Sequence, residues 1–440
     1  MNSSTLYSFM MRFFTLTGAR ILGAVAALGT NLLIARVYGA DMLGTLSVLL
    51  AVSALLAMMT TGGYNAIATV LTAEYNAQKK PELLKGFIIQ GTKLLSVGTL
   101  LGSAGFAVYL CYFPPEIAYS YWKTVAAAVV FIGANGAIFF YCMVLIGLDR
   151  QQSALLPDTL LKPALALLLL LITAMFSHKI RISDLLIIYG VASLAAGVSA
   201  VLFLHRTGVW SKSITAKSDS SRWIKMGPPW IVTSIVWDFF IELHIILAGI
   251  IALPAQIAGL HIAFRLRMIA GFGMRTLYSL LLPEIYAKNA LQNGAEVIAK
   301  LRLAVLSTTA FSVCVMIGMY VLGEFALSLF GPEFVAYWPH LLIISGAIFF
   351  RAIFGPAPAI LSMSGYQTQP AIVMAVCLVL SLGASAFFYQ THGPLAFAVA
   401  YTGSNALSNV ILWLWAKKLT GFDGSIFVLF TPTKAAQQVS

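Results

Sequence analysis

The sequence predicts an all-α polytopic membrane protein with about 12 transmembrane helices, in two pseudo-symmetric six-helix lobes around a central cleft. Three observations predict it. The 440 residues are 60% hydrophobic and only 10% charged, whereas soluble domains average about 25% charged residues. Mean hydropathy is +0.90. Apolar runs of about 20 residues, the length that crosses a hydrocarbon core, recur along the whole chain.

Taken in order, the spans centre near Val25, Ala54, Gly98, Ile132, Ala166, Ala195, Val236, Ala270, Cys314, Phe349, Leu380 and Leu407. The first, within "MNSSTLYSFMMRFFTLTGARILGAVAALGTNLLIAR", lacks a small-residue cleavage site after a short apolar core. It reads as a retained helix rather than a signal peptide. The longer connections are "EYNAQKKPELLKG" after span two and "RTGVWSKSITAKSDSSRWIK" after span six. The latter is polar, Ser-rich and basic, and is expected to join two halves. The expected organisation is an N-terminal six-helix lobe over 1–205, a cytoplasmic linker over 206–223, and a C-terminal six-helix lobe over 224–440 with a short cytoplasmic tail.

The chain carries 27 Lys and Arg and a net charge of +12. With the N-terminus inside, about 16 cations fall on the cytoplasmic side and about 4 outside, which satisfies the positive-inside rule. Both termini are therefore expected in the cytoplasm, and the charge needs no nucleic-acid partner. An internal repeat fits two parallel halves: "IARVYGADMLGTLSVL" aligns with "GIIALPAQIAGLHIAF", placing Gly44 on Gly259 and Ala40 on Ala255. Such halves imply a pseudo-two-fold axis along the membrane normal and a shared site at midplane.

Charges inside spans are the candidate functional residues, because such groups usually face a bundle interior or a wet cavity. The cations are Arg20, Lys93, Lys162, Arg265, Arg267, Arg275 and Arg351; the acids are chiefly Asp158, Asp238 and Glu242. The excess of cations points to a site for an anionic ligand. Arg265 and Arg267 lie roughly 12–15 Å below the outer end of span eight, at a depth similar to Glu242. Asp238 is expected one turn deeper on the same helix face as Glu242. Arg265 and Arg267 point about 200° apart around their helix, so one is expected to pair with Glu242 while the other faces the cleft. A purely structural salt bridge is the alternative. Arg275 either lines the cleft or snorkels toward Glu284 and the interface. Arg20 is open between lining and snorkelling, Lys93 leans to snorkelling, and Arg351, placed mid-span, leans to the cleft. Asp158 and Lys162 in "PDTLLKP" read as a local i, i+4 ion pair, with Pro157 and Pro163 as kink formers. Asp238 or Glu242 is a candidate for ion coupling.

Other chemistry finds no support. The four cysteines show no metal-ligand spacing and read as apolar packing; His244, His261 and His340 are isolated. There is no Gly-rich phosphate loop, no H-E-x-x-H and no nucleophile elbow. No enzyme, cofactor or metal is expected.

Several stretches resemble the oligosaccharide flippase (polysaccharide transporter) family, whose superfamily includes multidrug and toxin extrusion transporters. "NLLIARVYGADMLGTLSVLLAV" is similar to its first hairpin through Arg36, Gly39 and Gly44. "LFGPEFVAYWPHLLIISGAIFF" and "ILSMSGYQTQPAIV" resemble its ninth to eleventh spans through Gly331, Pro332, Glu333, Met363 and Gly365. "GLDRQQSALLPDTLLKPALALLLLL" resembles the matching first-half connection. Where members often carry a basic residue on span two, this chain has Thr69 and Val70.

The resemblance implies a V-shaped cleft between two six-helix bundles in the bacterial cytoplasmic (inner) membrane. It also implies the flipping of a polyprenyl-diphosphate-linked oligosaccharide for polysaccharide, lipopolysaccharide or O-antigen biosynthesis. Arg20, Arg265, Arg267, Arg275 and Arg351 would then contact the diphosphate headgroup, since Arg offers bidentate donors to phosphate oxygens. Expected partners are the lipid-linked oligosaccharide, membrane lipids, and polysaccharide polymerase and chain-length machinery. Two alternatives stand beside it: a drug/cation antiporter, which would want an acidic cleft, and a membrane glycan polymerase or ligase, which would want a large external loop.

Overall fold

The computed structural model describes residues 3–176, 180–211, 213–290, 294–366 and 368–430, without the side chains of 3–17, 279, 280, 283, 284, 286–290 and 363. The described residues form helices and no strands. In chain order these are α1 Ser3–Tyr38, α2 Ala40–Met59, α3 Tyr64–Ala77, α4 Pro81–Tyr112, α5 Tyr121–Gly147, α6 Gln151–Leu156, α7 Lys162–Phe176, α8 Ile182–His205 and α9 Ser220–Asp238. They continue as α10 Phe240–Ile251, α11 Pro254–Ala270, α12 Phe272–Ala290, α13 Gly294–Ser328, α14 Trp338–Phe354, α15 Ala357–Met363, α16 Thr368–His392 and α17 Leu395–Thr420. Among the described residues eleven helices are long and apolar enough to cross a membrane, or twelve if the bent pair α9–α10 counts as one span. Helices dominate because lipid cannot hydrogen-bond a bare backbone, so each span must satisfy its own amides.

The chain separates into two compact units, Met1–Ala258 and Gly259–Ser440. In the first, α5 packs along α8 and touches α2, α3 and α4, while α1 lies against α7. Its core centres on Tyr64, Phe87, Phe140 and Trp223, with the Tyr64 and Phe87 rings stacked at 5.2 Å and Trp223 edge-on to Phe87 at 5.4 Å. The connection after α8 lies inside this unit. Lys85 Nζ donates to the carbonyls of Ser211 and Ile214, each at 2.9 Å. The Lys217 amide donates to Glu82 O at 3.0 Å, and their side chains form an ion pair.

In the second unit α17 packs on α14, α15 and α16, and α13 lies between α12 and α14. Leu301, Ile360, Leu361, Cys377 and Leu412 form one core and Met274, Tyr278, Ile348 and Ala352 another. Below α17, Asp423 gathers Trp413 Nε1 at 2.9 Å, Ser425 N at 3.0 Å and Lys417 Nζ at 3.0 Å, pinning the following turn to the helix.

Two local features depart from regular helix. Span five carries a π-helical turn, Pro157–Leu161, between α6 and α7. Pro157 has no amide to give and Pro163 follows closely, so the hydrogen-bond register widens there. Gly23 of α1 meets this turn backbone to backbone, and a Cβ at Gly23 would overlap Thr159 O.

The second departure corrects an expectation. Asp238 and Glu242 do not share one helix face, because span seven bends by 74° at Phe239 between them. Phe239 takes φ −111°, ψ 15°, outside the helical well. The consecutive rings of Phe239 and Phe240 are both buried, the first edge-on to Phe139 at 6.3 Å and the second stacked on His244 at 5.3 Å. A straight helix would turn these neighbours about 100° apart.

Candidate functional site

The second unit holds four of the arginines inside spans. Arg265 and Arg267 sit on α11, Arg275 on α12 and Arg351 on α14. Arg265 is half-buried, and among the described residues its Nη1 reaches Met268 Sδ at 3.9 Å. Arg267 lies over the ring of Tyr401 on α17, 5.6 Å from its centroid. Tyr401 is itself buried, and Phe264 packs edge-on to it at 5.0 Å, which fixes the ring beneath the guanidinium. The Arg267 Nε–H is buried and finds no hydrogen-bond acceptor among the described residues. An orphaned buried donor costs about 1–3 kcal/mol, and an attraction to the ring face returns part of it. The group is held and still has a donor to give.

Arg351 repeats the arrangement: its guanidinium lies 6.0 Å from the centroid of the Tyr278 ring on α12. It occupies the last turn of α14 rather than mid-span, because the helix ends at Gly355, whose φ of +69° stops it. Among the described residues neither Arg265, Arg267 nor Arg351 is paired with a carboxylate. Arg275 is exposed and engaged with a partner; the Glu284 side chain, toward which it was expected to snorkel, lies outside the described residues. Of the histidines, His261 is buried on α11 and His244 donates from Nδ1 to Phe240 O at 2.7 Å, both as packing groups.

The first unit places its charges differently. Arg20 and Lys93 are exposed on α1 and α4. Asp238 is exposed at the bend, Glu242 is half-buried, and both are engaged. The expected Asp158–Lys162 pair is present at the π turn. It extends further than a local pair, since Lys162 Nζ also donates to Asn135 Oδ1 at 3.2 Å, and Asn135 Nδ2 donates to Ser193 Oγ at 3.0 Å. Asn135 and Ser193 are buried, so this network ties span five to α5 and α8.

Near the start of span seven, Arg222 donates from Nη1 to Glu74 Oε1 at 2.9 Å and from Nη2 to Oε2 at 2.7 Å. The next residue, Trp223, donates Nε1 to Tyr75 OH at 2.8 Å. One turn on, Gly227 and Gly63 touch backbone to backbone, and a Cβ at Gly227 would come within 2.8 Å of Gly62 O. The Arg222 hydrogen bonds hold the Glu74 carboxyl below its usual range against the opposing effect of burial. The first unit thus contains a latch between α3 and α9.

Sequence reasoning found the arginines and the Asp158–Lys162 pair. It missed Tyr401 and Tyr278 as ring seats, and Asn135 as the third member of the network. A tyrosine amid "AFAVAYTGSN", away from any span end, was the available signal.

Residues 10–285 match the family described as polysaccharide biosynthesis protein. No curated protein matches the chain. Among solved structures, the chain is similar to the lipid II flippase MurJ in an inward closed conformation, at TM-score 0.73 and 15% identity over 97% of this chain and 89% of that one. It is similar to a multidrug resistance MATE family transporter of the MOP superfamily, inward-facing, at TM-score 0.71 and 13% identity over 96% and 99%. A third is a MOP superfamily transporter from Pyrococcus furiosus, at TM-score 0.61 and 15% identity over 92% and 94%, for which reverse polarity of the binding pocket suggests a different function. At these identities the likeness establishes the fold, that of MOP superfamily transporters.

Proposed function

Because the chain belongs to the polysaccharide biosynthesis protein family, we propose that it flips a polyprenyl-diphosphate-linked oligosaccharide across the bacterial cytoplasmic membrane. The observation that carries this reading is the seating of Arg267. Its guanidinium is fixed over Tyr401 and, among the described residues, has no carboxylate partner and keeps a buried donor unmet. A diphosphate supplies the missing acceptors and two negative charges. Carboxylates of the protein would have cancelled that attraction.

In this reading Arg265, Arg267 and Arg351 bind the headgroup, with Arg20 and Arg275 as further contacts. The sugars travel through water while the prenyl chain stays in lipid, by alternating access. Both termini face the cytoplasm. Asp238 or Glu242 couples the cycle to an ion, each from its own side of the bend at Phe239. Polymer-assembling enzymes take up the delivered substrate, as polysaccharide, lipopolysaccharide or O-antigen synthesis requires. A drug/cation antiporter fits less well, since unmatched arginines repel a cationic drug. Among the described residues the connections between spans are short, which disfavours glycan polymerisation.

The test is export. Cells carrying Arg265→Ala with Arg267→Ala should insert normal amounts of folded protein and fail to deliver surface polysaccharide. Undiminished delivery by that double variant overturns the assignment.

A further inference from the structure

A cleft of about 250 Å³ opens in the first unit, far along the chain from Arg265, Arg267 and Arg351. It lies where three connections meet: the end of α3 with the start of α4, the junction of α5 and α6, and the segment after α8. The residues that line it flank span ends, because α4 begins there and α5 and α8 finish there. That places the cleft at the rim of one membrane face.

Its walls are held open. The segment after α8 turns at Gly208, with φ +77°, and is then fastened to α4 by Lys85 and by the Lys217 amide. Gly86 lets that segment pass directly over α4, for a Cβ there would overlap Lys217 O. The segment therefore cannot settle into the space beside it.

The lining is two-sided. Leu84 and Val209 are buried and make an apolar floor with Leu148. Asn76, Arg150 and Thr207 stand around it. Among the described residues no hydrogen bond or ion pair occupies the side chains of Arg150 or Asn76, and both are exposed to the opening. Lys79, Lys80 and Arg206 flank lining positions. Of the acids close by in sequence, Glu74 is held by Arg222 and Glu82 by Lys217, which leaves Asp149 as the opposing charge. Free guanidinium and amide donors above a methyl-lined floor suit a phosphate that carries a hydrocarbon. Basic pockets between span ends are suited to anionic headgroups.

We propose that this cleft binds the phosphate ester of an anionic phospholipid, with Arg150 and Asn76 donating to the phosphate oxygens and Leu84, Leu148 and Val209 receiving the glycerol and first methylenes. The free guanidinium gives strength and the apolar floor selects lipid over soluble phosphate. The site does not depend on what the protein transports.

The experiment uses the full chain in detergent, titrated with phosphatidylglycerol, with phosphatidylcholine or with inorganic phosphate, and reads retained lipid by native mass spectrometry and protection by thermal unfolding. Wild type should retain phosphatidylglycerol over phosphatidylcholine, and Arg150→Gln should weaken that retention about tenfold, as loss of a charge-assisted contact does. Val209→Trp, which fills the floor, should remove it as well. Protection by inorganic phosphate equal to that by phosphatidylglycerol, and lost in Arg150→Gln, would overturn the lipid assignment and leave a soluble phosphate as the ligand. Equal phosphatidylglycerol retention by wild type and Arg150→Gln overturns the proposal, and since Arg150 is exposed that variant keeps its fold. Neither readout measures transport, so this result and the flippase reading stand or fall apart.

Discussion

Replacing Glu74 by Gln removes the charge that takes both terminal nitrogens of Arg222, at 2.9 and 2.7 Å. The side chains are 29% and 40% exposed, so the interaction is worth less than the several kcal/mol of a fully buried pair. Fork geometry places it near the top of the exposed range, about 1 kcal/mol. Unfolding of the detergent-solubilised protein by SDS, for Glu74→Gln, Arg222→Gln and the double variant, should return that coupling energy. About 1 kcal/mol is roughly a fivefold change in an equilibrium constant, and the same factor biases any parting of α3 from α9. The sign with pH follows from the lowered carboxyl. The contribution is complete above the ordinary value of 4.5 and is lost as pH falls through the lower value of the folded state. Coupling should therefore be constant from pH 7 to pH 5 and then decline. Strictly additive single variants at pH 7, or a coupling that grows on acidification, would refute the latch.

Three further outcomes follow from the geometry. Tyr401→Leu takes the ring from beneath Arg267 and should slow flipping about fivefold, the worth of about 1 kcal/mol of cation–π attraction, while Tyr401→Phe keeps the rate; initial rates in proteoliposomes check it. Lys162→Met leaves the Asp158 carboxylate and Asn135 Oδ1 unmatched and should cost about 2 kcal/mol in SDS unfolding, with Asp158→Asn in the same chain restoring most of it. Asp423→Ala strands Trp413 Nε1 and the Ser425 amide and should cost about 2 kcal/mol, whereas Asp423→Asn, which keeps an acceptor, should cost less than half of that.

The spans were legible because crossing a membrane requires long apolar runs, and little else in a sequence looks like them. The Asp158–Lys162 pair was legible for the same kind of reason, being four residues apart on one helix. Its extension to Asn135 was not, since that residue lies 27 positions away on another helix. The bend at Phe239 carries no proline or glycine, and the ring of Phe139 that packs edge-on to Phe239 comes from another helix. The segment after α8 reads as a polar linker, and its composition says nothing of the carbonyls that Lys85 holds. Arg267 was found as a buried cation, but its seat on Tyr401 depends on α17, more than a hundred residues further along. Residue type and local spacing announce charges and spans. Partners contributed by other helices are invisible to both.

The central claim is that the guanidinium groups of Arg265, Arg267 and Arg351 receive a diphosphate headgroup. Its most direct measurement is unidirectional flipping in proteoliposomes of two lipids that share the same prenyl chain and sugar, one joined by diphosphate and one by a neutral linkage. Wild type should flip the diphosphate lipid and leave the neutral one, and Arg267→Ala should abolish the difference. Equal flipping of both lipids by the wild-type protein would contradict the account.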